Sequence, residues 1–218
     1  MTDTKRAAWT ALAVTIVAFT LASLVDTWAF HNIRIQGVYE KDWGRLLRVM
    51  GFMGTWAALA LAVGLHDAGA TADRKPAHPR RRAWLLLWSP ALAGGIAELL
   101  KIITRRERPG LHDGLYGWRP WSERTFSGAG LALPSSHAAV AFGGAAMLAV
   151  LFPRTRWVGY VLAAGCALTR VLAGAHFVSD VTLAAAIGWA TAAVLSGRWK
   201  GDGGMGRRLH TEKGRPAL

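Results

Sequence analysis

An all-α fold, a six-transmembrane-helix bundle, is predicted for this chain by three observations. Hydrophobic residues make up 52% of its 218 residues. Several apolar runs approach the roughly 20 residues a helix needs to cross a hydrocarbon core. Between them lie polar connectors rich in Arg and Lys, with tryptophans near the run ends, as in the basic loops and aromatic belts of membrane proteins. The net charge of +13 therefore reads as loop charge that sets orientation and attracts anionic head groups, not as a footprint for nucleic acid. The lone cysteine, Cys166, excludes an intramolecular disulfide.

Each element follows in order. After Lys5 and Arg6, residues 7–25 form an apolar run longer than the ~7–15 residues of a signal-peptide core, so the sequence predicts a retained helix. In 31–48, Val38, Trp43, Leu46 and Leu47 alternate with Lys41, Arg45 and Arg48, which suits a short helix on the membrane surface or a solvated loop. A second span runs from about Val49 to Leu65. The connector 66–82 carries Arg74, Lys75, Arg80, Arg81 and Arg82. The third span, about Ala83 to Ile103, opens with Trp84 and Trp88. Glu98 lies inside it, and Lys101, three residues on, is its expected ion partner. A polar segment, Thr104 to Pro134, precedes the fourth span, Ser136 to Phe152. A Pro153–Arg156 turn leads to the fifth, Trp157 to Leu172, and the sixth runs from Ser179 to Leu195. Residues 1–197 thus read as one membrane-embedded domain, and 198–218 as a basic, Gly-rich, disordered tail. An even number of spans puts both termini on one side. That side holds 15 of the 26 Lys and Arg residues and the other 11, so the termini are expected in the cytoplasm.

Three polar clusters then share the external face. The first is Lys101-Ile-Ile-Thr-Arg-Arg-Glu-Arg108-Pro109. Lys101 and Arg108 are two helical turns apart, and Pro109 disfavours helix at Arg108. A compact ammonium and a planar guanidinium are both good phosphate ligands. Arg105 and Arg106 fit better as cations snorkelling at a helix end. The second cluster is Pro134-Ser135-Ser136-His137, a serine N-cap before an apolar helix whose first turn offers free N–H groups to an anion. His137 there is placed as a proton donor. The third is Thr169-Arg170-x5-His176-x3-Asp180. His176 and Asp180, four apart, would share one helix face, letting the carboxylate fix the imidazole tautomer.

Lys-x6-Arg-Pro, Pro-Ser-Ser-His and Thr-Arg-x5-His-x3-Asp, in that order at one face of a six-span bundle, resemble the type 2 phosphatidic acid phosphatase superfamily. The resemblance covers about residues 83–195. Ser136 stands where that family's pattern has glycine, and Thr169 where it has serine. The resemblance implies a phosphate-binding site at the external helix ends and hydrolysis of a membrane lipid phosphate or diphosphate, such as undecaprenyl diphosphate, phosphatidylglycerophosphate, phosphatidic acid or lipid A. It implies His176 as nucleophile, forming a phosphohistidine, with Asp180 orienting it and His137 protonating the leaving group. Lys101, Arg108 and Arg170 would clamp the phosphoryl oxygens, and Ser135 and Ser136 with their N–H groups would complete the cradle. Three cations do there what magnesium does elsewhere, so neither a metal nor a cofactor is expected. The partners expected are the lipid bilayer and a phosphorylated lipid within it, with the site facing the periplasm or exterior of the cell membrane. Trp118, Arg119, Trp121 and Arg124 are expected to bear on head-group choice. The alternatives are transfer of the phosphoryl group to a second lipid and a non-catalytic lipid-binding or transport protein.

Overall fold

A computed structural model of the chain describes residues 3–70 and 79–200. Arg74 and Lys75 of the basic connector, and the tail from residue 201, lie outside the described residues. Within them the regular structure is entirely helical, with no strand. It comprises α1 (Asp3–Asn32), α2 (Asp42–Val49), α3 (Met53–Gly69), α4 (Pro79–Thr104), α5 (Ser136–Leu151), α6 (Arg156–Leu172) and α7 (Val178–Lys200), with single 3₁₀ turns at Pro109–Leu111 and Pro153–Thr155.

All six apolar runs are helical, and the 31–48 segment ends in the short amphipathic α2. Among the described residues, three stretches are long and apolar enough to cross a membrane: Lys5–Asn32, Arg80–Thr104 and Val178–Gly197. The pair α2 and α3, bent by 63°, makes a fourth if taken as one broken span. α5 has 16 residues and α6 has 17. At ~1.5 Å per residue such helices fall short of a ~30 Å core. Length and composition alone therefore mark three or four spans.

α5 is the central helix, packed by α4, α6 and α7. Small residues let the backbones approach, as membrane bundles require where no water is available to drive helices together. One core cluster joins Ala93 and Ala97 of α4, Ala138 and Ala139 of α5, Ala167 and Val171 of α6, and Val181 and Ala184 of α7. α5 and α7 cross closely: a Cβ on Gly188 would lie 2.5 Å from the Gly143 nitrogen. The outer surface is apolar: Val14 and Leu24 of α1, Leu99 and Ile103 of α4, and Val158 and Val161 of α6 are all exposed. Such belts belong against lipid.

The 105–134 segment folds back over the end of the bundle. Arg105, at a positive φ of 53°, ends α4, and two isolated bridges, Arg106 to Trp118 and Glu107 to Leu131, shape the loop. Arg105 is buried and donates to the carbonyls of Arg119 (3.0 Å), Pro120 (2.7 Å) and Thr125 (3.2 Å). Trp121 lies 4.8 Å from its guanidinium, and Arg119 is buried against Glu107 at 3.0 Å. In this loop Arg105, Arg119 and Trp121 hold the fold together. The expectation that Arg105 and Arg106 snorkel at a helix end is overturned, because both are buried with protein partners.

Candidate active site

The site is assembled from four chain segments at one end of the bundle. α4 ends there and carries Lys101. Its ammonium, buried, donates to Glu98 at 2.8 Å and to the Ser136 hydroxyl at 2.7 Å. The expected Glu98–Lys101 pair is therefore present, and it is tied to the first turn of α5. Ser135 is the N-cap of α5, its hydroxyl accepting from the Ala138 N–H at 3.5 Å. Its own N–H donates to the Asp180 carbonyl at 3.2 Å, so it is committed to the fold and unavailable to a ligand. That corrects one part of the expected cradle. The N–H groups of Ser136 and His137, at the first two helical positions, have no carbonyl partner within α5.

The third cluster is built differently from the helix face expected. α7 starts at Val178, so His176 precedes it, in the turn that follows α6. Gly174, at a φ of +64°, lets the chain reverse there, and the Ala175 and His176 N–H groups both donate to the Arg170 carbonyl. Asp180 lies in the first turn of α7 and reaches back to accept from the Phe177 N–H at 2.7 Å, one half of a capping box. This turn geometry, not helical periodicity, brings Asp180 Oδ2 to 3.5 Å from His176 Nδ1. The separation is too long for a good hydrogen bond, and buried Nδ1 has no hydrogen-bond partner. Burial pulls the His176 pKa down to about 4; Asp180 acts to raise it, and Arg170 and Lys101 act to lower it.

Asp180 has a second partner that spacing did not reveal. Its other oxygen accepts from Arg106 Nη2, which also donates to the Ser179 hydroxyl at 2.8 Å. The Arg106 guanidinium lies 5.1 Å from both the Tyr116 and Phe177 ring centres. Ser179 is held in turn by buried Asp26 of α1, which accepts its N–H at 2.9 Å and its hydroxyl. Tyr116 donates to the same carboxylate at 2.8 Å, and its phenol is pushed up to about 12 by burial and by Asp26. The available signal was Asp180 itself: a carboxylate among apolar residues needs a cationic or hydrogen-bonding partner.

A cavity of about 550 Å³ lies at this end of the bundle, and Lys101, His176 and Asp180 are not among the residues that line it. Arg108, His137, Arg170 and Ala175 line it, together with Arg34, Tyr39, Glu40 and Arg48 from the α1–α2 region. Arg170 donates to the Tyr39 hydroxyl at 2.8 Å. The buried Nε atoms of Arg108 and Arg170 have no hydrogen-bond partner. Burial, and Arg170 beside it, push the Arg108 pKa down. A cavity lined by four arginines and one carboxylate suits an anion. The structure thus brings Arg108, Arg170 and His137 to one cavity, joins Lys101 to Ser136, and pairs His176 with Asp180. Among the described residues, no three His, Cys, Asp or Glu side chains are grouped as a metal-ligand set.

An all-helical membrane protein with such clusters at one helix end defines the class, and a family model identifies it. Residues 82–200 match the PAP2 superfamily, over half of the chain, and the chain belongs to that superfamily. It is similar to a lipid A 1-phosphatase of Rhizobium etli, 29% identical over 157 residues that cover 68% of this chain and 66% of the relative. It is also similar to a lipid A 1-phosphatase of Rhizobium johnstonii, 35% identical over 105 residues, 47% of this chain and 42% of the relative. The chain spans less than two thirds of the length of these curated relatives. No solved structure matches it.

Proposed function

We propose that this chain is a metal-independent phosphatase of a membrane lipid phosphate, acting through a phosphohistidine at His176. The observation that carries the reading is the convergence of Arg108, Arg170 and His137 on one basic cavity, which Ala175, the chain neighbour of buried His176, also lines. Membership of the PAP2 superfamily and the names of the two relatives support its coarser part, a phosphatase of a lipid phosphate. Lys101, Arg108 and Arg170 hold the phosphoryl oxygens, with the free N–H groups at the start of α5. Phosphoryl transfer asks mainly for positioning and charge stabilisation, and three fixed cations supply both without a metal.

In the first step the free ring nitrogen of neutral His176 attacks phosphorus. The bond from phosphorus to the lipid oxygen breaks, and His137, held protonated by the bound phosphate dianion, gives that oxygen its proton. Asp180 stabilises the positive charge on the phosphorylated imidazole. In the second step His137 takes a proton from water as the water oxygen attacks phosphorus. The P–N bond breaks, and inorganic phosphate leaves with His176 restored.

The same reading makes residues 1–197 one membrane domain of six crossings, with α2–α3 as one broken span and α5 and α6 as short ones. The termini are then cytoplasmic and the site faces the periplasm or exterior of the cell membrane. Phosphate release by purified protein from lipid A, phosphatidic acid, phosphatidylglycerophosphate and undecaprenyl diphosphate is the test. Release from at least one, lost in His176→Ala, is expected. Release from none of them would end the proposal.

A further inference from the structure

The cavity holds more positive charge than one phosphoryl group uses. Its wall includes Arg34, Arg48, Arg108 and Arg170 against one carboxylate, Glu40. A phosphate monoester brings only about two negative charges. Arg108 and Arg170 belong to the clamp beside Lys101. Arg34 and Arg48 come instead from the segment after α1 and from α2. Among the described residues, neither is ion-paired to a carboxylate.

Both are held by aromatic rings. The Arg34 guanidinium lies 5.0 Å from the Phe30 ring centre, and that of Arg48 lies 4.5 Å from the Tyr39 ring centre. Tyr39 is shared with the clamp, because Arg170 donates to its hydroxyl and lies 5.6 Å from its ring. Gly174 makes room for Arg34: a Cβ there would come within 3.1 Å of Arg34 Nε. Rings orient a guanidinium while leaving its planar N–H fork free for an anion. The volume, about 550 Å³, lies in the ~300–1,000 Å³ range of sites that enclose a drug-sized ligand, well beyond one phosphoryl group.

We propose that Arg34 and Arg48 form a second anion subsite, which takes another phosphate of the substrate's head group. That phosphate is either joined to the first as a diphosphate or carried further along the head group. The inference rests on the phosphatase reading above and narrows it to head groups bearing two phosphates.

The test uses the purified full-length chain hydrolysing a short-chain lipid monophosphate, with inhibition constants read for methylphosphonate and for bisphosphonates of increasing spacer length. The best bisphosphonate should bind at least about tenfold tighter than methylphosphonate, the gain expected of one added charge-assisted contact. Arg34→Gln and Arg48→Gln, singly and together, should collapse that ratio toward one, while Arg34→Lys and Arg48→Lys keep part of it. Arg154→Gln, in the turn at the far end of α5, should leave the ratio intact and controls for loss of charge alone. A short best spacer identifies a diphosphate, and a long one a distal phosphate. Equal binding of mono- and bisphosphonates by the parent, or a ratio that survives the double Gln variant, overturns the subsite. A parent that neither releases phosphate from any lipid nor is inhibited by any phosphonate overturns the phosphatase reading beneath it.

Discussion

Asp180 concentrates the site's connections in one buried side chain. One oxygen accepts from Arg106, the other from the Phe177 N–H and faces His176, while its carbonyl accepts from Ser135. Removing one partner of a buried ion pair strands the other charge, at a cost of about 3–5 kcal/mol. Arg106→Gln should therefore lower the melting temperature sharply and reduce kcat together with Asp180→Asn, the double variant costing little more than either single. A loss under about 0.5 kcal/mol, as for an ordinary surface arginine, would show that the pair is not formed. The pH profile tests the same residues from the reactive side. With His176 held at about 4 by burial, the nucleophile stays neutral through the mildly acidic range, where an exposed histidine would already be charged. Its folded value lies below its unfolded one, so its contribution to stability is complete above about 6.5 and is lost as pH falls toward about 4. Asp180 favours the charged imidazole, so Asp180→Asn should leave residual turnover and move any acid limb set by His176 to lower pH. A limb that moves upward would contradict the assignment.

At the scale of elements, the site depends on how closely α5 and α7 cross, because one carries His137 and the other Asp180. Gly188 permits that approach, with the Ala139 carbonyl 2.9 Å from where its Cβ would lie. Gly188→Val should overpack the crossing at a cost of about 1–3 kcal/mol, seen in thermal unfolding, and reduce turnover with it. Unchanged stability would mean the helices are not in contact there. The helices themselves were legible in the sequence, since apolar runs bounded by Pro, Gly and charge leave few other readings. The polar motifs located the site for the same reason: charge is costly among apolar residues unless used or paired. Two things escaped. The His176-x3-Asp180 spacing reads as a helix face, yet Gly174 breaks the chain, and a capping turn makes the contact. Arg34, Tyr39 and Arg48 escaped because their segment has the alternation of any surface helix, and nothing local reveals that it folds over Arg170.

Across the whole molecule, the proposed orientation is open to labelling. In a Cys166→Ala background, a new cysteine at exposed Ser122, in the loop over the site, should react with a membrane-impermeant maleimide on spheroplasts or intact cells. One at exposed Arg154, at the far end of α5, should not react, and the reverse pattern would invert the topology. Chelation by EDTA should leave phosphate release unchanged, because the charge at phosphorus comes from Lys101, Arg108 and Arg170. Activity lost on chelation and restored by a divalent cation would overturn the metal-free mechanism. The account stands or falls on the covalent step. Rapid quenching of the purified protein with a lipid labelled in its phosphate should trap a phosphoenzyme that is acid-labile and base-stable. Mapping should place the label on His176, with none trapped in His176→Ala. Label on another residue, or phosphate release by His176→Ala at the parent rate, would contradict it.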